Sequence, residues 1–184
     1  YFYMDYDDGL LQEKNYENAM NIVIPLVEQA TKSVTIYSFA FTDQVIMDRL
    51  IKAHEQRGVT VKVFMDYRMF RSTYQYFRYS FRELAKRVDS VQVTRKPDGG
   101  LLHHKVIMID DNILIFGSLN FSNNAVTGND ENFLVVRNAS PLVDSFKTEL
   151  HRIAKYSTPL LDMENLSGAY DSDDDEIAPF LGYY

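Results

Sequence analysis

The chain has 184 residues, 46% of them hydrophobic, so it is long enough to bury one substantial core, and its length favours a single domain. It contains no cysteine, which excludes disulfides, a thiolate nucleophile and cysteine-based zinc or iron–sulfur sites. The net charge of −7 belongs to residues 162–184, which carry seven acidic residues and no Lys or Arg, so the rest of the chain is neutral overall.

The first part of the chain predicts alternating helices and strands. Residues 16–33 have the apolar spacing of a helix, and residues 34–41 predict a strand. A second helix, with Thr42 as its N-cap, is expected to end near Gly58 and to lead directly into a strand at residues 59–66. A strand, a helix and a strand in succession are typical of a parallel crossover unit, so we expect an α/β fold with helices packed on the sheet.

Residues 67–96 are locally positive and rich in aromatic side chains. Residues 67–88 are expected to be partly helical, residues 90–95 to form a short strand and residues 97–100 to form a turn. The composition fits a solvated amphipathic helix, and it equally fits a surface on which arginines meet phosphates and aromatic rings stack on bases. The candidate nucleic-acid contacts are Arg68, Arg71, Arg78, Arg82, Arg95 and Lys96.

Residues 101–120 form an apolar run with polar residues at both ends. Because side chains alternate between the two faces of a strand, His103 and Lys105 share one face and His104 points to the other. We therefore expect His103 and Lys105 to act together, and His104 to have a supporting or packing role.

A hairpin is predicted within this run, with a two-residue turn at residues 111–112. The resulting register places Ser118 opposite Lys105 and Asn120 opposite His103, and directly opposed residues lie on one face of the sheet. An imidazole, an ammonium group, a hydroxyl and a carboxamide would thus meet at the open end of the hairpin.

Such a group of side chains suits a phosphate. Lys105 supplies positive charge, Ser118 and Asn120 supply hydrogen-bond donors, and His103 is a nucleophile or proton carrier that works near neutral pH. Attack by a neutral histidine requires an acceptor that holds its other ring nitrogen, and Glu131 is the nearest downstream candidate.

The spacing of these residues resembles the HKD motif of the phospholipase D superfamily. The sequence GNDEN at residues 128–132 is similar to that family's downstream Asn-x-Glu element, and IYSFAFTD at residues 36–43 is similar to its early strand. The resemblance spans roughly residues 15–156. The motif positions, matched without a gap, are His103, Lys105, Asp110, Gly117, Ser118 and Asn120.

The resemblance implies a phospholipase D-like fold, which is a mixed, mostly parallel sheet flanked by helices on both faces, with one motif per chain. Chains with one motif resemble the bacterial endonucleases in which two subunits share an active site, so a C2 homodimer is expected. It also implies that His103 of one subunit attacks the phosphodiester to form a phosphohistidine, while His103 of the partner subunit protonates the leaving oxygen and then activates water. No metal or cofactor is expected. Asp110 and Gly117 are expected to have supporting, structural roles.

Three functions are compatible with this motif. The first is a metal-independent phosphodiesterase acting on nucleic acid, most simply a nonspecific endonuclease on DNA, with RNA as a second candidate. The second applies the same chemistry to a phospholipid head group, although the chain has no obvious amphipathic membrane helix and no apolar run of about 18 residues that would span a membrane. The third is a catalytically silent nucleic-acid-binding dimer, against which the intact set of polar residues argues.

The C-terminal region predicts a last helix at residues 140–156 and then an acidic segment. We assign residues 1–160 to the nuclease-like domain and residues 161–184 to an acidic tail or linker. The acidic run at residues 171–176 does not predict a calcium loop, because Glu176 stands where such a loop needs glycine. Localisation stays open: a periplasmic or secreted protein is expected if a leader has been removed, and a cytoplasmic one otherwise.

Overall fold

The computed structural model describes residues 2–7, 10–15, 19–72, 75–122, 130–138 and 140–163, so the expected acidic tail lies outside the described residues from position 164 onward. The strands are β1 (Phe2–Asp7), β2 (Leu10–Asn15), β3 (Ser33–Ser38), β4 (Thr60–Asp66), β5 (Ser90–Thr94), β6 (Lys105–Ile109), β7 (Ile113–Gly117), β8 (Asn132–Arg137) and β9 (Ser157–Pro159). The helices are α1 (Met20–Glu28), α2 (Gln44–Arg57), α3 (Tyr67–Ser72), α4 (Gln75–Arg87) and α5 (Ser140–Ala154), and a 3-10 turn covers Leu160–Asp162.

The described strands form one mixed sheet in the order β2-β1-β8-β7-β6-β3-β4-β5-β9. Parallel ladders join β1 to β8, β3 to β4 and β4 to β5, and the five other ladders among these strands are antiparallel. The mixed sheet and the parallel crossover from β3 through α2 to β4 are confirmed. Parallel pairing does not predominate among the described strands: it joins β3, β4 and β5 and also β1 and β8. The tight turn from β6 to β7 can join only antiparallel neighbours, and β6 also pairs antiparallel with β3.

Apolar side chains cover both faces of the sheet. On one face α1, α2 and α4 pack against the strands, and Val23, Leu50 and Leu84 are fully buried there. On the other face α5 contributes Val143 and Ile153 to a second buried cluster. Full burial of side chains of this size stabilises the fold by about 2 kcal/mol each. The expected helices on both faces are therefore confirmed. Their packing stabilises the sheet, whose edges carry the residues of the candidate site.

The boundaries of α2 differ slightly from the prediction. Asp43, and not Thr42, is the N-cap: its carboxylate accepts a hydrogen bond from the backbone N–H of Ile46 at 2.9 Å. A carboxylate satisfies a free N–H group at the helix start and also interacts favourably with the helix dipole. At the other end Gly58 adopts a positive φ of 68°, as expected for a residue that ends a helix.

The turn between β6 and β7 is one residue longer than predicted. Ile109 pairs directly with Ile113, so residues 110–112 form the turn. Asp110 and Asp111 have φ angles of 55° and 58°, a left-handed conformation that Asp tolerates better than most residues do. The prediction failed because sequence spacing alone does not reveal that Asp110 leaves the strand and enters the turn.

This slip of one residue changes the alignment of the motif. In the observed register the residue aligned with Lys105 is Gly117, so Ser118 and Asn120 are not directly opposite Lys105 and His103. The strand ladder therefore does not by itself bring the four polar side chains together, and another part of the fold must do so.

Two further features concern membranes and metals. None of the described helices combines the length and the apolar character needed to cross a membrane. Within the described ranges there is also no group of three or more His, Cys, Asp or Glu side chains placed to share a metal ion.

Candidate active site

The candidate site lies at the edge of the sheet where β3 and β7 end and β6 begins. Beyond β3, residues 39–43 are hydrogen-bonded to both arms of the hairpin. The N–H of Phe39 donates to the carbonyl of His104 at 2.9 Å, and the N–H of Phe121 donates to the carbonyl of Ala40 at 3.1 Å. This segment brings the residues before β6 and the residues after β7 together, which the hairpin register alone would not do.

His103 and Lys105 form the centre of the site. The Nζ atom of Lys105 is 3.1 Å from Nδ1 and 3.3 Å from Nε2 of His103, and it donates to the backbone carbonyl of His103 at 3.0 Å. The ring of Phe39 contacts both: its centroid is 4.6 Å from that of the imidazole and 5.4 Å from the ammonium. His103 is exposed, whereas Lys105 is only 8% exposed. Nothing in the sequence distinguished Phe39 from an ordinary core aromatic.

The surroundings of these two residues favour a neutral imidazole. Burial lowers the pKa of Lys105, and the negative charge of Glu131 opposes this effect. The pKa of His103 is lowered by partial burial and then by the positive charge of Lys105, while Asp66 acts in the opposite direction. A histidine whose pKa lies below its ordinary value of 6.5 is mostly unprotonated at neutral pH, and only that form has a lone pair for attack on phosphorus.

Ser118 and Glu131 form a second polar pair beside the first. The Ser118 hydroxyl donates to Oε2 of Glu131 at 2.5 Å and accepts a hydrogen bond from the N–H of Asn132 at 3.0 Å. The Glu131 carboxylate also lies within electrostatic reach of the Lys105 ammonium. Four of the five residues predicted to act on a phosphate are thus gathered at one edge of the sheet. Orientation of His103 by Glu131 stays a prediction, since the hydrogen bond described for this carboxylate goes to Ser118.

Asn120 is the fifth predicted residue, and it is buried with 8% of its surface exposed. Its neighbours Leu119 and Phe121 are buried in the core and fix its position. Within the part of the chain that the structure describes, the side-chain oxygen of Asn120 has no hydrogen-bond partner. A buried polar atom without a partner is costly, so this carboxamide is suited to pair with a ligand or with a second chain.

Gly117 is required by the close approach of β8. A Cβ atom at this position would lie 2.6 Å from the Cα atom of Phe133 and would overlap the backbone of Asn132.

We expect Gly117→Ala to lower the free energy of unfolding by about 2 to 3 kcal/mol, because the two backbones cannot separate without breaking their ladder. Urea unfolding measures this loss. In Gly58→Ala, where no atom lies within 4 Å and only the positive φ is unfavourable, we expect about 1 kcal/mol. Equal losses in the two variants would contradict the contact explanation.

Asp110 lies at the other end of β6 from His103. Its carboxylate accepts hydrogen bonds from the backbone N–H groups of Thr31, Lys32 and Ser33 at 2.7 to 2.9 Å, and from the Thr31 hydroxyl at 2.8 Å. These contacts hold the loop between α1 and β3. The structural role expected for Asp110 stays a prediction.

Asp66, at the end of β4, is a buried carboxylate that the motif does not include. It accepts hydrogen bonds from the N–H of Leu102 at 2.8 Å, of Arg68 at 2.9 Å and of Met69 at 3.2 Å. Burial raises its pKa, and these hydrogen bonds oppose the shift. Asp66 therefore links the start of α3 to the segment that carries His103. Its position at the carboxyl end of a parallel strand was the signal that could have indicated it.

His104 faces away from the site, toward α5, as expected. Its Nε2 atom is 3.0 Å from Oε1 of Glu149, which also accepts from the guanidinium of Arg152. The hydrogen bond from Arg152 is the main reason that the pKa of Glu149 falls to about 2; burial opposes the shift and the contact with His104 adds to it. His104 thus anchors the beginning of β6 to α5.

The six candidate nucleic-acid contacts separate into two groups. The first group lines a cavity at the ends of β4 and β5 and consists of Arg68, Arg95 and Lys96. The second group lies on α3 and α4 and consists of Arg71, Arg78 and Arg82. Burial, followed by the charges of its two arginine neighbours, lowers the pKa of Arg78, whose guanidinium donates to the backbone carbonyl of Arg71. The second group is therefore a compact positive cluster.

The fold and the site have counterparts among known proteins. A protein-family model described as "Cardiolipin synthase, PLD-like domain" matches residues 23–154. The mitochondrial cardiolipin hydrolase of Homo sapiens is 30% identical over 143 residues, which cover 78% of this chain and 54% of that protein. A phospholipase D of Rickettsia bellii is 33% identical over 120 residues, which cover 65% of this chain and 56% of that protein. The chain spans about half the length of these curated relatives.

A solved structure shows the same arrangement of strands and helices. Nuc from Salmonella typhimurium, described as a phospholipase D family member, superposes with a TM-score of 0.69 at 27% sequence identity. The superposition covers 77% of this chain and 90% of that one. Nuc is therefore matched over almost its whole length.

Proposed function

Because this chain belongs to the phospholipase D superfamily, through its match to the phospholipase D-like domain family, we propose that it is a metal-independent phosphodiesterase that cleaves nucleic acid through a phosphohistidine intermediate. Its simplest form is a nonspecific endonuclease on DNA, with RNA as a second candidate. The observation that carries the proposal is the imidazole of His103, held 3.1 Å from the ammonium of the buried Lys105. No metal or cofactor takes part in the proposed steps.

The reaction begins with attack on phosphorus by an unprotonated ring nitrogen of His103. As the phosphorus–nitrogen bond forms, the bond to the leaving oxygen breaks, and His103 of the partner subunit gives that oxygen a proton. The partner's His103 then takes a proton from water, whose oxygen attacks phosphorus and releases the first histidine. Lys105, Ser118 and Asn120 stabilise the charge that develops on the other phosphate oxygens.

The mechanism needs two histidines, and the chain carries one motif. Two copies related by a twofold axis supply the same residue twice, which fits a reaction with one nucleophile and one proton donor. His103 is exposed at the edge of the sheet, so a second copy can approach it. The buried side-chain oxygen of Asn120, which has no hydrogen-bond partner among the described residues, follows two positions after Ser118 along the chain. These features support a homodimer with one shared site.

The charge around the site supports nucleic acid as the substrate. Arg68, Arg95 and Lys96 line a cavity beside the segment that carries His103, and a second cluster of three arginines lies on α3 and α4. Three large hydrophobic side chains are exposed among the described residues, and each lies on a different element: Val45, Tyr79 and Leu161. A lipid substrate would call for a contiguous apolar patch near the site, and these scattered positions do not form one.

The test is to incubate the protein in EDTA with single-stranded DNA, double-stranded DNA, RNA and phosphatidyl vesicles. We expect cleavage of nucleic acid that chelation does not affect. Loss of all cleavage in EDTA would contradict the phosphohistidine mechanism. Cleavage of vesicles alone would reverse the substrate assignment, in line with the relative that is named a cardiolipin hydrolase. Binding of nucleic acid without cleavage would favour a silent binding dimer.

A further inference from the structure

A cavity of about 370 Å³ lies at the carboxyl ends of β4 and β5 and is not part of the HKD motif. Asp66 forms one wall, and Arg68, Arg95 and Lys96 supply positive charge. Gly99 and Gly100, in the turn that precedes the His103 segment, also line the cavity. The cavity therefore adjoins the candidate nucleophile along the chain.

Asp66 connects the cavity with His103 in space as well. Its carboxylate lines the cavity and accepts a hydrogen bond from the N–H of Leu102, the residue before His103, at 2.8 Å. Its charge also acts on the His103 imidazole. One buried carboxylate thus forms the boundary between the cavity and the reacting group, so a ligand in the cavity lies next to a phosphate bound at His103.

The balance of charge in the cavity favours an anion. Three cationic side chains line the cavity with one carboxylate, that of Asp66, and a second carboxylate, that of Asp98, belongs to the adjoining turn. Asp66 is buried and already accepts three backbone hydrogen bonds. The Asp98 carboxylate accepts a hydrogen bond from the N–H of Gly100 at 3.0 Å and pairs with Lys96 at 3.5 Å. Both carboxylates are engaged, so the positive charges dominate what a ligand would meet.

The arginine at the centre of this region is held in place by an aromatic ring. The guanidinium of Arg95 lies 4.8 Å from the ring centroid of Tyr67, which is itself buried. A positioned guanidinium loses less conformational freedom when it binds a phosphate than a free side chain does. Arg95 is therefore suited to bind a phosphate oxygen with two donors.

A second cavity, of about 330 Å³, continues from the first. It shares Tyr67 and Arg95 with the first cavity and adds Lys155 and Tyr156, which follow α5. Two adjoining positive cavities lead away from His103 along the edge formed by β4, β5 and β9. A ligand with phosphates in a row fits such a path, whereas a diester with one phosphate would occupy only its first position.

We infer that the cavity lined by Arg68, Arg95 and Lys96 binds the phosphate next to the scissile one on a nucleic-acid strand. This inference rests on the proposed function and adds a requirement to it: the preferred substrate carries a second phosphate one nucleotide away from the cleaved bond. The cavity contributes recognition, and the bond is cleaved at His103.

Short substrates test this requirement directly. A dinucleotide with one phosphodiester is compared with the same dinucleotide carrying an additional 5′-phosphate or 3′-phosphate, all in EDTA. We expect wild type to cleave one of the two phosphorylated forms about tenfold faster, in kcat/KM, than the form without a terminal phosphate. In the double variant Arg95→Gln/Lys96→Gln the ratio of these two values should fall toward one.

The matched control is Lys62→Gln, which removes an exposed cation from the neighbouring strand β4 and does not line the cavity. Its ratio should equal that of wild type. A ratio of one in wild type, or an unchanged ratio in the double variant, would overturn the inference while leaving the proposed function intact. If wild type cleaves none of the dinucleotides or longer strands, the proposed function is wrong and the inference fails with it. Cleavage of cardiolipin vesicles that falls in the double variant would assign the cavity to a lipid phosphate instead.

Discussion

Replacing His103 with alanine is expected to lower the rate of nucleic-acid cleavage by a factor of about 10³ or more and to leave the stability unchanged. The imidazole is the proposed nucleophile and, in the partner subunit, the proposed proton donor, so the substitution removes both groups from the shared site. Because His103 is exposed, its loss creates no cavity in the core. Initial rates on an oligonucleotide, together with a urea unfolding curve, measure the two effects.

The matched control for this variant is His151→Ala, which removes an exposed histidine from the end of α5. Its rate should equal that of wild type. A His103→Ala protein that keeps more than a tenth of the wild-type rate would contradict the assignment of the nucleophile.

Mixing experiments examine the shared site separately. If wild type is refolded with a threefold excess of His103→Ala, random pairing leaves about one quarter of the wild-type chains in wild-type dimers. Activity per wild-type chain should fall to about that fraction. Unchanged activity per wild-type chain would contradict a site built from two subunits, and it would leave the role of His103 within one chain untouched.

Replacing Asp110 with asparagine should destabilise the fold by about 2 kcal/mol and leave the activity of the folded protein unchanged. The carboxylate accepts four hydrogen bonds from residues 31–33, and the amide group of asparagine would face those donors with its own N–H groups. Asparagine tolerates the positive φ of this position, so the substitution tests the carboxylate and not the turn conformation. Urea unfolding at neutral pH gives the size of the loss.

Asp111→Asn is the matched control, since Asp111 has nearly the same φ and is paired with Lys147 at the surface, at 3.0 Å. We expect a loss of about 0.5 kcal/mol or less from an exposed ion pair of this kind. Similar losses of unfolding free energy in both variants would show that the turn conformation, and not the hydrogen bonds of the Asp110 carboxylate, determines the stability. A large loss of activity per folded molecule in Asp110→Asn would place Asp110 in the catalytic machinery.

The pH dependence of the Asp110 effect follows from its pKa. Burial alone would raise this pKa, but the hydrogen bonds from Ser33, Lys32 and Thr31 lower it below its ordinary value of 3.8. A carboxylate with a lower pKa in the folded state contributes stability above its unfolded pKa and loses it as the pH falls through the folded value. The difference between wild type and Asp110→Asn should therefore be complete at neutral pH and shrink in acid.

Much of the candidate site was predictable from the sequence because most of its residues lie in a short, ungapped segment. His103, Lys105, Gly117, Ser118 and Asn120 lie within one segment of eighteen residues, in or next to two strands joined by a turn. Alternation along a strand correctly separated His103 from His104, because that periodicity is a local property of the extended backbone. Apolar spacing likewise indicated α2, β4 and the parallel crossover between β3 and β4.

The tertiary structure alone decided how the polar side chains meet. A turn of three residues shifted the register of the hairpin by one position. The segment of residues 39–43 is hydrogen-bonded to His104, before β6, and to Phe121, after β7, and these bonds bring the polar residues together despite the shift. Phe39 and Asp66 are distant from the motif in sequence, and they reach the site only because β3 and β4 end at the same edge of the sheet.

The positively charged residues were also predicted only in part from the sequence. Composition identified residues 67–96 as basic, but it could not tell which arginines face a cavity and which cluster on helices. The sequence by itself thus determined which residues are the candidates for the chemistry and which local elements hold them, because residue type and periodicity act over a few positions. Register, contacts between distant segments and the sorting of charges were decided by the packing of the whole sheet, because these depend on long-range contacts that no local pattern encodes.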